Sequence, residues 1–149
     1  MTVVLITGCS SGIGLASAVE FARRGCGTVA TMRNVDRSGA LRRALSVAGS
    51  DADIRAVDVA DDTSVSTAMD AITADHGGID VIVSNAGIGI DGTTEELTID
   101  DFRTSFETNT LGSVRLLHAV MPAWRERGSG RFIAVGSLGG VVGNPFNDA

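Results

Sequence analysis

A short apolar run, Val3-Val4-Leu5-Ile6, passes directly into Thr7-Gly8-Cys9-Ser10-Ser11-Gly12-Ile13-Gly14. No other feature restricts the fold of this chain as tightly. The apolar run reads as a buried strand, and helical spacing takes over after the turn. Gly8 lets the backbone turn sharply where a side chain would collide. Gly12 removes a Cβ, so backbone N–H groups can approach an anion, and Gly14 lets the following helix pack tightly on the strand. That helix starts near Ile13, and its unpaired N–H groups and positive dipole end face the turn. A dinucleotide diphosphate suits such a pocket. The competing reading is a plain strand-to-helix turn without a ligand, because G-x-x-x-G-x-G is one residue longer in its first gap than the common fingerprint.

The rest of the chain continues the alternation. Strands are expected over Val3–Thr7, Thr28–Met32, Ile54–Val57, Ile79–Val83 and Arg131–Val135. Helices are expected over Ile13–Arg24, Ser38–Val47 and Asp62–Asp75, with Asp61 or Asp62 as a cap for the third. A loop over Gly87–Glu96 precedes one long helix, Ile99–Arg127, whose start carries a Thr98/Asp101 capping box. Phe102, Phe106, Asn109, Ser113, Leu117, Val120 and Trp124 recur along it at helical spacing, and Pro122 interrupts its late turns. No secondary structure is expected over Gly136–Ala149. Regular βα alternation implies an α/β fold, a doubly wound Rossmann-type parallel sheet with right-handed crossovers and the order 3-2-1-4-5. All 149 residues form one such domain, incomplete on the side where a sixth strand would follow.

Composition excludes several classes. A net charge of −6 argues against nucleic acid or an anionic membrane as the main partner. No apolar run is long enough to span a bilayer. The start shows no export signal, so a cytoplasmic location is expected. Cys9 and Cys26 read as free buried thiols, not as a disulfide. His76 at a helix end and His118 among apolar neighbours read as structural, and no Cys/His/acid spacing indicates a metal. The pairs Asp61-Asp62, Glu95-Glu96 and Asp100-Asp101 lie near helix starts and complement the dipoles there. The chain has no tyrosine, and all 12 of its basic residues are arginine. Chemistry that needs a phenol or an amine is closed to these residues.

Taken as a set, the motifs resemble the short-chain dehydrogenase/reductase family. Thr7–Gly14 matches its T-G-x-x-x-G-I-G, and Ser84-Asn85-Ala86-Gly87 matches its N-N-A-G with serine first. Asn109 lies mid-helix where the family carries an active-site asparagine. Gly136-Ser137-Leu138-Gly139-Gly140 follows the fifth strand, where the family carries its catalytic serine. Gly128-Ser129-Gly130-Arg131 and the stretch Gly143–Ala149 are most similar to the branch of estrogenic 17-beta-hydroxysteroid and photoreceptor retinol dehydrogenases. The family's Y-x-x-x-K pair is absent, and by the resemblance its tyrosine is expected immediately after Ala149. A fragment of a longer protein, a cleaved product and a short protein that cannot catalyse all remain open, the first being favoured because of the unfinished core.

The resemblance assigns roles, each beside a plainer one. Asp58 either bonds an adenine amino group, with the Val59 backbone beside it, or flanks a helix. Asn85 either braces the sheet edge, with Ala86 and Gly87 passing the ribose, or is a turn asparagine. Asn109 is expected to be buried, holding a helix kink and a relay water. Ser137 either donates to a substrate carbonyl oxygen or is a loop serine. Thr7, Gly8, Ser10, Ser11, Gly12, Ile13 and Gly14 form the phosphate turn. After the second strand comes Arg33, not an acid, and Arg33 with Ser10 favours NADP(H) over NAD(H) through a 2′-phosphate. The other reading lays Arg33 on the adenine of NAD.

The implied activity is an NADP(H)-dependent oxidoreductase that interconverts an alcohol and a carbonyl, on steroid- or retinoid-like substrates. The resemblance also implies a homo-dimer or homo-tetramer packed through the long helix. Two alternatives remain: a coenzyme-sensing module without catalysis, and a structural fragment that binds nothing. An intact mass near 15.3 kDa would favour these alternatives, and one near twice that a full enzyme.

Overall fold

Successive residues of a strand point to opposite faces of its sheet, and here both faces are apolar. The computed structural model describes residues 1–142. In β1 (Val3–Ile6), Val3 and Leu5 enter one hydrophobic core while Val4 and Ile6 enter another. A strand buried on both sides needs helices on both sides, which only a crossover topology supplies. The sheet runs β3-β2-β1-β4-β5, all parallel. Its other strands are β2 (Gly27–Met32), β3 (Asp53–Ala56), β4 (Val81–Ser84) and β5 (Arg131–Ala134). The expected order is therefore the observed one.

Helices α1 (Gly12–Arg23) and α2 (Gly39–Val47) cover one face, bringing Ala18, Leu41 and Leu45 onto Val4, Ile6 and Ala30. Helix α3 (Asp62–His76) and the later helix α5 (Gly112–Arg127) cover the other, where Val65, Met69, Ile72, Leu116, Val120 and Trp124 meet Leu5, Val29 and Ile82. Full burial of side chains such as Leu5 and Ile82 stabilises by about 1.5–3 kcal/mol each. The α3 cap is Asp61, which accepts from Ser64 N at 2.6 Å. The Thr98/Asp101 box at the start of α4 (Ile99–Phe106) is present in both directions.

The long helix is not continuous. Between α4 and α5, a π-turn spans Glu107–Leu111, and Gly112 N donates to Glu107 O. This extra residue rotates the buried stripe. Ser105, Gly112, Leu116, Val120 and Trp124 face inward, whereas Phe106, expected in the stripe, is 56% exposed. Helix α5 passes through Pro122 to Arg127, so the irregularity falls at the π-turn and not at the proline. His118 is exposed, not set among apolar neighbours, for the same reason of rotation. Cys26 is half-buried rather than buried, and both thiols are free. A 3-10 turn over Val35–Ser38 leads into α2, and another over Leu138–Gly140 interrupts the stretch expected to be irregular. The Gly143–Ala149 motif lies outside the described residues.

Edge strand β3 is tied to the end of α3 by charge. Arg55 reaches Asp53 and Asp75, each at 2.6 Å, and Asp53 pairs with His76 Nε2 at 2.9 Å. Partial burial works to raise the Asp53 pKa, but hydrogen bonds from Arg55 and His76 outweigh it and hold the carboxyl below its ordinary 3.8. A depressed carboxyl contributes stability above the unfolded value, and that contribution is lost as pH falls through the folded value. Asp53→Asn should therefore be less stable than the parent at pH 7, by up to about 1 kcal/mol. The gap in urea midpoints should close as pH is lowered below 3.8. A gap unchanged down to pH 2 would contradict this account.

Candidate functional site

In a parallel doubly wound sheet, the C-terminal strand ends share one edge, and the chain reversal after β1 opens a crevice there. The crevice is built by a clamp between β1 and β4. Thr7 is buried, its N–H donates to Val83 O at 3.0 Å, and its hydroxyl oxygen accepts from Asn85 N at 3.0 Å and Ala86 N at 2.9 Å. Asn85 Nδ2 donates to Thr7 O at 2.9 Å and to Gly8 O at 3.3 Å. Asn85 thus braces the sheet edge, one of the two roles expected of it.

The glycines of the turn do different work. A Cβ on Gly14 would lie 2.4 Å from both Gly8 O and Asn85 Nδ2, so α1 could not seat against the clamp. Gly12 has φ +57° and open space where its Cβ would project. Ser11 is the α1 N-cap but makes no side-chain cap hydrogen bond. The first-turn N–H groups of α1 are therefore left uncapped beside open space, which is the chemistry an anion requires.

A cleft of about 600 Å3 follows the strand ends. Gly8, Ser10 and Ser11 line it from the β1 turn, and Arg33 from the end of β2. Asp58 and Val59 line it after β3, and Asn85, Ala86 and Gly87 after β4. Thr7 and Gly14 lie buried in its supporting wall, and Gly12 and Ile13 are exposed at the start of α1. Asp58 Oδ1 accepts from Ala60 N at 3.0 Å, and its backbone N donates to Ser64 Oγ at 2.9 Å.

Several lining residues were not foreseen: Arg37, Asn34, Thr104 and Thr108. Asn34 Oδ1 accepts from Asp36 N at 2.9 Å, starting the 3-10 turn that brings Arg37 round to the side of Arg33. The Arg-x-x-x-Arg spacing was the available signal. Both arginines are exposed, and neither guanidinium has a hydrogen-bond or ion-pair partner among the described residues. Thr104 and Thr108 come from the region of the π-turn, whose rotation sequence periodicity does not reveal.

Asn109 and Ser137 do not line this cleft. Asn109 stands in the π-turn, where its Oδ1 accepts from Ile88 N at 2.8 Å and its Nδ2 donates to Ile88 O at 2.9 Å. It does hold a helix irregularity, but it is exposed rather than buried, because the π-turn swings it off the packed stripe. Ser137 is exposed, and its Oγ accepts from Gly139 N at 3.1 Å. Burial pushes the Cys9 thiol up to about 12, which leaves it inert beside the turn. Among the described residues no group of three or more His, Cys, Asp or Glu gathers as a metal site. A second groove, of about 710 Å3, lies between β3 and α3, and its arginine, Arg55, is already ion-paired.

The two glycines predict a contrast. Gly14→Ala should destabilise the fold by about 1–3 kcal/mol even without ligand, since backbone and clamp must shift. Gly12→Ala has space and should cost only the left-handed penalty, about 1–2 kcal/mol, while weakening anion binding by fouling the approach. Thermal unfolding and coenzyme titration of both variants check this. A Gly14→Ala variant with parental stability would contradict the packing argument.

Residues 2–149 match the family model for short chain dehydrogenase. Human 17-beta-hydroxysteroid dehydrogenase type 1 is 42% identical over 153 residues, covering 99% of this chain and 46% of that protein. Retinol dehydrogenase 8 of Bos taurus is 40% identical over 149 residues, covering 97% of this chain and 47% of that protein. The chain thus spans about half the length of these curated relatives. A metagenomic short-chain oxidoreductase solved with NADP superposes with a TM-score of 0.90 at 29% identity, over 98% of this chain and 66% of that one. NAD+-bound xylitol dehydrogenase superposes with a TM-score of 0.89 at 28% identity, over 98% and 56%.

Proposed function

The chain belongs to the short-chain dehydrogenase/reductase family, and from that premise we propose an NADP(H)-dependent oxidoreductase that interconverts an alcohol and a carbonyl. One observation carries the reading. The cleft has uncapped helix N–H groups at its phosphate turn and two unpartnered guanidiniums beside it. The residues present fit a dinucleotide bearing an extra phosphate.

In this reading the N–H groups of Gly12, Ile13 and Gly14 hold the diphosphate, with Ser11 beside them. Arg33, Arg37 and the Ser10 hydroxyl hold the 2′-phosphate, where a guanidinium presents paired donors. Asp58 keeps one carboxylate oxygen for the adenine amino group, since the other accepts from Ala60 N. The Val59 backbone stands beside the base. Thr7 and Asn85 keep Ala86 and Gly87 at the distance a ribose needs. When bound, the nicotinamide supplies or accepts the hydride.

Ser137 would orient the substrate oxygen. Its oxygen already accepts from Gly139 N, so its hydroxyl proton is free to donate. Asn109 pins both backbone groups of Ile88 and would hold the relay water at the π-turn. The proton donor of the family's mechanism is a tyrosine beside a lysine, and neither residue type occurs in these 149 residues. A second reading is a module that binds NADP(H) without redox chemistry. The relatives named for steroid and retinol turnover favour lipophilic substrates for the first. Exposed Phe106, Val114 and Met121 favour a homo-dimer or homo-tetramer packed through α4 and α5.

Fluorescence titration should show NADPH bound more tightly than NADH. Loss of a charged hydrogen bond costs about 1.5–3 kcal/mol, so Arg33→Ala should cut the preference about tenfold or more. Tighter NADH binding, or a preference untouched by Arg33→Ala, would reject the NADP(H) assignment. Oxidation of NADPH by a keto-steroid or retinal, followed at the nicotinamide absorbance of the natural protein, separates enzyme from module. Tight binding without turnover selects the module.

A further inference from the structure

A π-turn leaves backbone carbonyls and side chains displaced from regular helix geometry, and something must hold it in place. Here that something is Arg115, one turn into α5. Its Nη1 donates to Glu107 O at 3.2 Å, the same carbonyl that Gly112 N reaches across the π-turn. The same Nη1 donates to Val59 O at 3.3 Å. Its Nη2 meets the Glu107 carboxylate at 2.6 Å, and its Nε pairs with Asp62. The Arg115 side chain is only 17% exposed, although its partner Asp62 stands largely in solvent.

Beneath the guanidinium Gly112 packs closely on Val59. A Cβ on Gly112 would lie 2.9 Å from Val59 Cγ2 and 3.3 Å from Val59 O. The end of the π-turn therefore rests on the Val59 side chain and carbonyl, with no room for a side chain on Gly112. From the π-turn, Asn109 grips Ile88 through both of its backbone groups. Ile88 and Thr108 line one part of the cleft, and Asp58 and Val59 another. One fork thus joins the turn after β3 to the loop after β4 through the helix irregularity.

We propose that Arg115 is a positioning residue: occupation of the cleft at Asp58–Val59 is transmitted through its fork to the π-turn, and through Asn109 to the Ile88 loop. The proposal rests on the reading of the cleft as a coenzyme site. An arginine suits the role because one planar group reaches two carbonyls and two carboxylates at once, which a lysine ammonium cannot match. Asp62 and Glu107 keep the guanidinium neutralised where it sits.

Hydrogen–deuterium exchange of the natural protein, with and without saturating NADPH, tests this. In the parent, NADPH should slow exchange over 57–62 and also over 89–90 and 109–112, which do not line the cleft. In Arg115→Met and Arg115→Lys, the slowing over 57–62 should persist. The slowing over the two remote segments should fall by about fivefold or more, the scale of an ordinary coupling free energy. Arg115→Lys keeps the charge without the fork and carries the test if Arg115→Met does not fold. A merely structural Arg115 would speed exchange equally with and without NADPH and leave the NADPH-induced difference intact. Remote slowing that survives in a folded variant overturns the proposal and leaves the coenzyme reading standing. No slowing anywhere in the parent overturns both.

Discussion

The structure depends on the buried hydroxyl of Thr7. By accepting from the N–H groups of both Asn85 and Ala86, it locks the exits of β1 and β4 together. Asn85 returns the bond to the carbonyls of Thr7 and Gly8. Two neighbouring strand ends are thus held apart by a fixed distance and cannot collapse onto the crevice between them. The clamp also explains why Gly14 admits no side chain, since the helix must rest on Gly8 O and Asn85 Nδ2. With α1 seated there, its uncapped N–H groups are aimed by the fold and not by any ligand.

Electrostatics then divides the molecule. The chain is acidic, at −6, and most of its guanidiniums that reach an acid do so on helix surfaces or at the edge of β3. Arg33 and Arg37 are set apart from those pairs and stand at the cleft. Unpaired cations at a concave site focus attraction for an anion, even on a protein whose net charge would repel one. Among the described residues, the crevice brings uncapped backbone donors and two unpaired guanidiniums together.

Much of this was legible in the sequence, for a physical reason. Strands buried on both faces are written as apolar runs such as Val3–Ile6, and Gly8 and Gly14 mark a close approach of helix and strand. Strand order followed from the apolar runs, and polar residues at the helix starts indicated a cap at Asp61 or Asp62, of which Asp61 is the one used, and the Thr98/Asp101 box. The π-turn at Glu107–Leu111 did not. One inserted residue barely changes a helical hydrophobic pattern, yet it turned Phe106 outward and exposed Asn109. Arg37 was missed because an unpaired surface charge has no periodicity; only the 3-10 turn started by Asn34 brings it beside Arg33.

The central claim is that the amides at the tip of β1 grip the phosphate bridge of a nicotinamide coenzyme. Amide chemical shifts measured during NADPH titration of isotopically labelled protein test it most directly. The account predicts that the largest changes fall on the backbone N–H signals of Ser11, Gly12, Ile13 and Gly14, saturating together with those of Arg33. Saturable binding that leaves the turn amides unmoved while other surfaces respond would contradict it.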